Sequence, residues 1–191
     1  MMVYVIRHGQ SVANIEGIHV GQYDSPLTEQ GYEDARKAGA KLAGIHFDWI
    51  VSSDLIRAIE TCKTALPGCK PETFKELREV DVGSLSGRVV KECWETMGPE
   101  YHENRHNFDF TDYGGENGDM MMARVGSFMK RLEELQGCEN VAVFCHEGSI
   151  YCIMRYVLGQ PIKRMQIDSD NGSVMKIEWK NGEWKLRGFN L

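Results

Sequence analysis

Two short apolar runs, each breaking off at a histidine, constrain this chain more than any other feature. Val3-Tyr4-Val5-Ile6 leads into Arg7-His8-Gly9, and Val141-Ala142-Val143-Phe144-Cys145 leads into His146-Glu147-Gly148. Runs of this length, rich in β-branched residues and bounded by glycine, read as buried strands. A third such run spans Phe47 to Ser52, and helical patterns alternate with all three. The expected fold is therefore α/β, a three-layer sandwich with a mostly parallel central sheet flanked by helices.

The helix signals are local and specific. Thr28 is placed to cap a helix reaching to about Gly44, with Tyr32, Ala35, Gly39 and Leu42 on its inner face. Ser53 or Asp54 starts another, through Ile56, Ile59 and Leu66, which Pro67-Gly68 ends. Asn117 caps a long helix whose apolar stripe is Met121, Val125, Phe128, Met129 and Leu132. A helix after Gly148 runs to Leu158 and closes at Gly159 and Pro161, and Asn181-Gly182 signals a C-terminal antiparallel hairpin within Val174 to Leu186. Residues 88–118 mix aromatics, histidines and charges with little periodicity. They are expected to form a small, partly helical lid insertion in a single domain covering residues 1–191.

Composition narrows the function classes. With 28 acidic against 22 basic side chains the net charge is −6, which argues against a nucleic-acid or anionic-membrane surface, so any anion site must be local. The opening Met1 to Ile6 lacks the basic leader of a signal peptide, and no stretch reaches the ~20 apolar residues of a membrane span. Six cysteines without a C-x-x-C pair read as reduced, buried thiols, and the expected location is the cytoplasm.

Four segments carry chemistry. In parallel sheets ligands bind beyond the carboxyl ends of strands, where Arg7-His8-Gly9 and His146-Glu147-Gly148 both fall. Arg57 sits in the first turn of a helix, where a cation opposes the dipole unless an anion lies beside it. Leu77 to Gly87 offers carboxylates, Glu79 among them, in a glycine-punctuated loop. Taken singly these read as a packed histidine, a solvated arginine and surface charges. Together they supply what phosphoryl transfer needs: a nucleophile in His8, oxygen-binding donors in Arg7, Arg57 and His146, and a proton donor in Glu79.

The ordered motifs resemble the histidine phosphatase superfamily, in its phosphoglycerate mutase-like branch, over essentially the whole chain. Arg7 to Asn14 is similar to R-H-G-E-[ST]-x-x-N, Asp24 to Gly31 to D-x-P-L-T-x-x-G, Ser53 to Thr61 to S-x-L-x-R-A-x-x-T, and Leu77 to Gly87 to L-x-E-x-x-x-G-x-x-x-G, with Val141 to His146 as the strand before the second histidine. The resemblance implies a phosphatase of small phosphomonoesters, with His8 phosphorylated, Arg7, Arg57 and His146 around the phosphate, Asn14 as an added donor, and Glu79 as acid then base. It implies no metal and no organic cofactor. Val20 before Gly21 stands where relatives often carry Gln or Thr, and Glu147 replaces the glycine that commonly follows the second histidine, with Gly148 next. Val20, Gly21, Glu147 and Gly148 are therefore expected to line the substrate site, and Glu147 leaves the choice of acid open.

A mutase would use the same residues, although the short segment after the acid loop and the chain end just past the hairpin favour hydrolysis. A binding-only module is disfavoured by the complete set of reacting groups, and a metal hydrolase using His8, His146 and Cys145 by the opposite facing of adjacent strand residues. Within residues 88–118, His102, Arg105 and His106 could meet a second acidic group while Trp94, Tyr101 and Phe108 stack on a ring; simple packing accounts for them equally well. The partner is a small phosphorylated metabolite such as a sugar phosphate, phosphoglycerate, nucleotide or ribazole phosphate. Neither the substrate nor the oligomeric state is specified further.

Overall fold

The computed structural model describes residues 1–159 and 168–191, so the expected helix stop at Pro161 lies outside the described residues. The first half contains β1 (Met2–Arg7), α1 (Val12–Glu16), α2 (Glu29–Lys41), β2 (Trp49–Ser53), α3 (Ile56–Ala65) and β3 (Glu72–Phe74). There follow α4 (Val90–Thr96), α5 (Gly98–Asn107), α6 (Gly118–Glu133), β4 (Asn140–Cys145), α7 (Glu147–Leu158), β5 (Val174–Lys180) and β6 (Glu183–Gly188).

The strands form one sheet in the order β3-β2-β4-β1-β5-β6. β3, β2, β4 and β1 run parallel, whereas β5 and β6 are antiparallel additions, giving the mixed α/β sheet expected with its terminal hairpin. Asn181 and Gly182 both take positive φ, 55° and 76°, as a two-residue turn matched to strand twist requires.

Burial on both faces explains the strand sequences. Val141 to Cys145 are all fully buried, and Val141, Val143 and Phe144 each contribute about 1.5–3 kcal/mol of burial. Ile6, Ala142 and Phe144 pack with Ala38 and Leu42 of α2 and Cys62 and Ala65 of α3. Val3, Val5, Val141 and Val143 face the other way, into a larger core with α6 and α7. The long helix α2 that follows β1 and α1 thus lies on one face and α7, the helix after β4, on the other. Between two neighbouring parallel strands, this divergence opens a crevice beyond their carboxyl ends.

Local chemistry accounts for the helix starts. Thr28 Oγ1 accepts from Gly31 N at 3.0 Å, and Asn117 Oδ1 accepts from Met120 N at 3.0 Å. The predicted stripe of α6 is buried in full. On α2 the buried face is Gly31, Ala35 and Ala38, with Leu42 capping it, so Ala38 belongs to the stripe and Tyr32 only half-buries. The helix α3 begins later than expected, with Leu55 at the N-cap. Ser53 Oγ faces His146 and Asp54 pairs with Arg78, so neither side chain caps the helix. Residues 88–118 hold α4, α5 and a tight turn at Thr111–Tyr113.

Candidate active site

The ends of β1 and β4 are in register, Arg7 opposite Cys145, and His8 N donates to Cys145 O at 3.0 Å. The next residue on each strand is a histidine, and the rings of His8 and His146 lie 5.1 Å apart at 59°. The position of Glu79 against them is set from a different layer. Its Oε1 accepts from Val80 N at 2.8 Å and its Oε2 from Gly148 N, in the first turn of α7, at 3.2 Å.

His8 has its tautomer fixed by the backbone. Nδ1 is 2.7 Å from Gly9 O, so it carries the proton and Nε2 keeps a lone pair. Burial, then the charges of Arg57 and Arg7, hold its pKa well below the ordinary imidazole value, outweighing the Gly9 bond that works the other way. His146 is fully buried, with Nε2 2.9 Å from Ser53 Oγ, and burial followed by Arg57 and His8 lowers its pKa as well.

The arginines are held by the main chain rather than left loose. Arg57, 1% exposed, donates Nη1 to Tyr23 O and Nη2 to Gly21 O, each at 2.9 Å, which turns its fork toward the 21–23 loop and leaves Nε without a partner among the described residues. Burial brings its pKa to about 10, and it remains a cation at neutral pH. Arg7 donates to Ser169 O and pairs with Glu147 Oε2 at 3.0 Å, and its Nε likewise has no partner among the described residues. Among the described residues, four buried side-chain polar atoms lack a partner: Arg7 Nε, Arg57 Nε, His146 Nδ1 and Ser169 Oγ.

A cavity of about 290 Å³ opens over this group, with Arg7, His8, Asn14, Arg57, Glu79 and Glu147 in its lining. Asn14 Oδ1 accepts from Ser11 N at 2.9 Å in a capping box, so the end of its amide left to face a ligand is the donor Nδ2. Val20 and Gly21 line the same cavity, whereas His146 and Gly148 are not among its lining residues. Glu147, whose direction the sequence left open, is turned onto Arg7. Among the described residues no group of three His, Cys, Asp or Glu side chains converges as a metal site.

Of the residues expected to recognise the rest of the ligand, Arg105 and Phe108 line the cavity. Tyr101 is fully buried, and Trp94 stacks on His102 at 4.0 Å, so these pack the subdomain instead.

Supporting residues escaped the sequence reading. Arg124 donates Nη1 to Glu76 O and Arg78 O at 2.8 and 2.7 Å, donates Nη2 to Glu79 O at 3.0 Å, and pairs with Glu116. It therefore clamps the loop that carries Glu79. Arg78 holds Asp54 and Gln22, and Asn171 Nδ2 donates to His8 O at 3.0 Å. Thr61 Oγ1 accepts from Gly9 N at 3.0 Å, and this threonine closes the Ser53 to Thr61 motif, so a signal for it was present. Arg124 and Asn171 carried none, because their partners are distant in sequence.

A family model described as the histidine phosphatase superfamily (branch 1) matches residues 3–191. The chain is 28% identical over 186 residues to an adenosylcobalamin/alpha-ribazole phosphatase of Escherichia coli (strain K12), covering 94% of this chain and 92% of that protein. It superposes on the crystal structure of the alpha-ribazole phosphatase from Shigella flexneri with a TM-score of 0.91 and 26% identity, covering 100% and 96% of the two chains. With a phosphoglycerate mutase from Bacillus anthracis str. Sterne the TM-score is 0.84 at 28% identity, over 98% and 91%.

Proposed function

The chain belongs to branch 1 of the histidine phosphatase superfamily, and on that premise we propose that it is a phosphatase hydrolysing small phosphomonoesters through a phosphohistidine on His8. One observation carries the reading. Three buried nitrogens without a partner among the described residues, on Arg7, Arg57 and His146, belong to the groups that surround the neutral His8 ring. Unsatisfied buried donors of this kind are costly, and a tetrahedral oxyanion satisfies several at once.

In the proposed reaction His8 Nε2 gives its lone pair to phosphorus as the bond to the leaving oxygen breaks. Glu79 passes its proton to that oxygen, and the alcohol departs. The Glu79 carboxylate then takes a proton from water, whose oxygen attacks phosphorus as the P–N bond breaks, returning neutral His8 and free phosphate. Arg7, Arg57, His146 and Asn14 hold the equatorial oxygens, and their prepaid positions are where the electrostatic stabilisation comes from. No metal or organic cofactor enters the scheme. The substrate is a small phosphorylated metabolite, and a cytoplasmic location is supported by the six unbridged cysteines. No described helix is long and apolar enough to cross a membrane.

The likeness to a phosphoglycerate mutase favours one other outcome, return of the phosphoryl group to a second hydroxyl of the substrate. Turnover in ¹⁸O-water separates the two. Hydrolysis puts one labelled oxygen into each released phosphate, in a reaction that His8→Ala abolishes, whereas a mutase gives an unlabelled isomeric ester.

A further inference from the structure

The cavity over His8 is lined by two chemically distinct sets of side chains. Besides the charged and polar groups around His8, its walls are Ile18, Val20, Val82, Val90, Phe108 and Phe110. The rings of Phe108 and Phe110 meet edge to face at 5.8 Å and 77°. Hydroxyl groups of a polyol set against such walls would go without partners, whereas an apolar ring is transferred favourably from water.

Apart from Arg7 and Arg57, one cation among the described residues lines the cavity. Arg105, on α5, lines the cavity and is only half-buried. Among the described residues it has no carboxylate within ion-pair distance, whereas Arg7 is paired with Glu147 and Arg57 is committed to two loop carbonyls. Tyr101 stands beside Arg105, and its hydroxyl oxygen is 2.7 Å from His19 Nε2. His19 also lines the cavity, and burial, followed by the charges of Arg105 and Arg88, lowers its pKa to about 4. At neutral pH it is therefore uncharged and supplies no second cation. A buried neutral imidazole and a buried phenol thus buttress a guanidinium that has no carboxylate partner among the described residues.

Resting on the phosphatase reading, we propose that these apolar walls form a subsite for a flat, apolar leaving group bearing one anionic substituent, and that Arg105 is the residue that selects it.

Three alkyl phosphates test this: 4-carboxybenzyl phosphate, 4-carbamoylbenzyl phosphate and glycerol 3-phosphate. The two benzyl esters have nearly the same leaving alcohol and differ in charge at the far end. For the wild-type protein kcat/KM is expected to favour the carboxylate over the amide by about 10-fold to 100-fold, the range of a charge-assisted pair. Both benzyl esters should exceed glycerol 3-phosphate by at least about 10-fold. In Arg105→Met the carboxylate-to-amide ratio should fall to within about 3-fold of unity, chiefly through KM, and Arg105→Gln reads the same ratio if the methionine variant does not fold. A merely structural role for Arg105 would lower all three rates together and leave the ratio unchanged. A wild-type ratio near unity, a ratio that survives loss of Arg105, or glycerol 3-phosphate turned over as well as the benzyl esters would each overturn the subsite while the phosphatase reading stood. Absence of phosphate release from every ester would overturn that reading, and the subsite with it.

Discussion

Gly148 donates its main-chain N–H to the Glu79 carboxylate at 3.2 Å, joining the loop that carries the proposed acid to the first turn of the helix that begins beside His146. The contact leaves no room for a side chain. A Cβ on Gly148 would run into Glu79 Oε1 and lie 2.9 Å from Met121 Cε. Gly148→Ala is therefore expected to displace the carboxylate and lower kcat by about 10-fold to 100-fold for esters of weakly acidic alcohols, the range in which misplaced catalytic groups fall. Aryl esters, whose leaving group needs little proton donation, should be affected least. An equal loss on both ester types would show that the contact does not serve proton transfer.

Glu79 and Glu147 should separate by kinetics. Glu79→Gln is expected to cost about 10²-fold to 10⁴-fold in kcat on alkyl phosphates and much less on aryl phosphates. Glu147→Gln removes the carboxylate from Arg7, which would then meet the phosphate without a competing anion. Its expected signature is a lower KM and tighter inhibition by inorganic phosphate, with leaving-group dependence retained. Reversal of the two patterns would assign the acid to Glu147.

Much of this arrangement was legible in the sequence because it is written locally. The strand-to-histidine junctions at His8 and His146, the Asn117 cap and the Asn181-Gly182 turn each depend on residues within a few positions of one another. What stayed hidden depends on distant pairings. The three-residue strand β3 exists through its pairing with β2, and α1 is only five residues closed by the Ser11 and Asn14 capping box. Arg124 reads as one more polar position on α6 until the fold brings Glu76, Arg78 and Glu79 to it. The orientation of Arg57 was hidden for the same reason, since its fork is spent on carbonyls over thirty residues earlier.

Loss of Arg124 should be felt first in stability. Arg124→Met leaves Glu116, 8% exposed, without its counter-ion and removes a donor from three carbonyls of the acid loop, of which Arg78 O keeps Ser149 Oγ and Glu79 O keeps Gln22 Nε2. The expected cost is about 3–5 kcal/mol, that of breaking a buried pair by removing one partner. Thermal or urea unfolding of the variant against wild type measures it, and a loss below about 1 kcal/mol would contradict the clamp.

Acid stability follows from the buried imidazoles. His8, His19 and His146 all have folded-state pKa values below the unfolded value of 6.5, that of His19 at about 4. Below 6.5 the unfolded chain binds protons that the folded chain does not, so stability falls as pH drops. Each such histidine contributes up to about 1.4 kcal/mol per pH unit, and for His19 the loss levels off near its folded value. The midpoint of thermal unfolding should be flat just above pH 7 and decline from pH 6.5 downward, and His19→Gln should make the decline shallower between pH 6.5 and 4. An unchanged slope in that variant would mean that His19 is already protonated when folded.

The most direct test of the central claim is rapid acid-free quenching of the protein during turnover of a ³²P-labelled phosphomonoester, followed by peptide mapping. The expected result is label on the peptide containing His8, stable in alkali, lost in mild acid and accumulating in Glu79→Gln when an aryl phosphate is supplied. Phosphate released at full rate with no label on His8 at any time would contradict a covalent intermediate there.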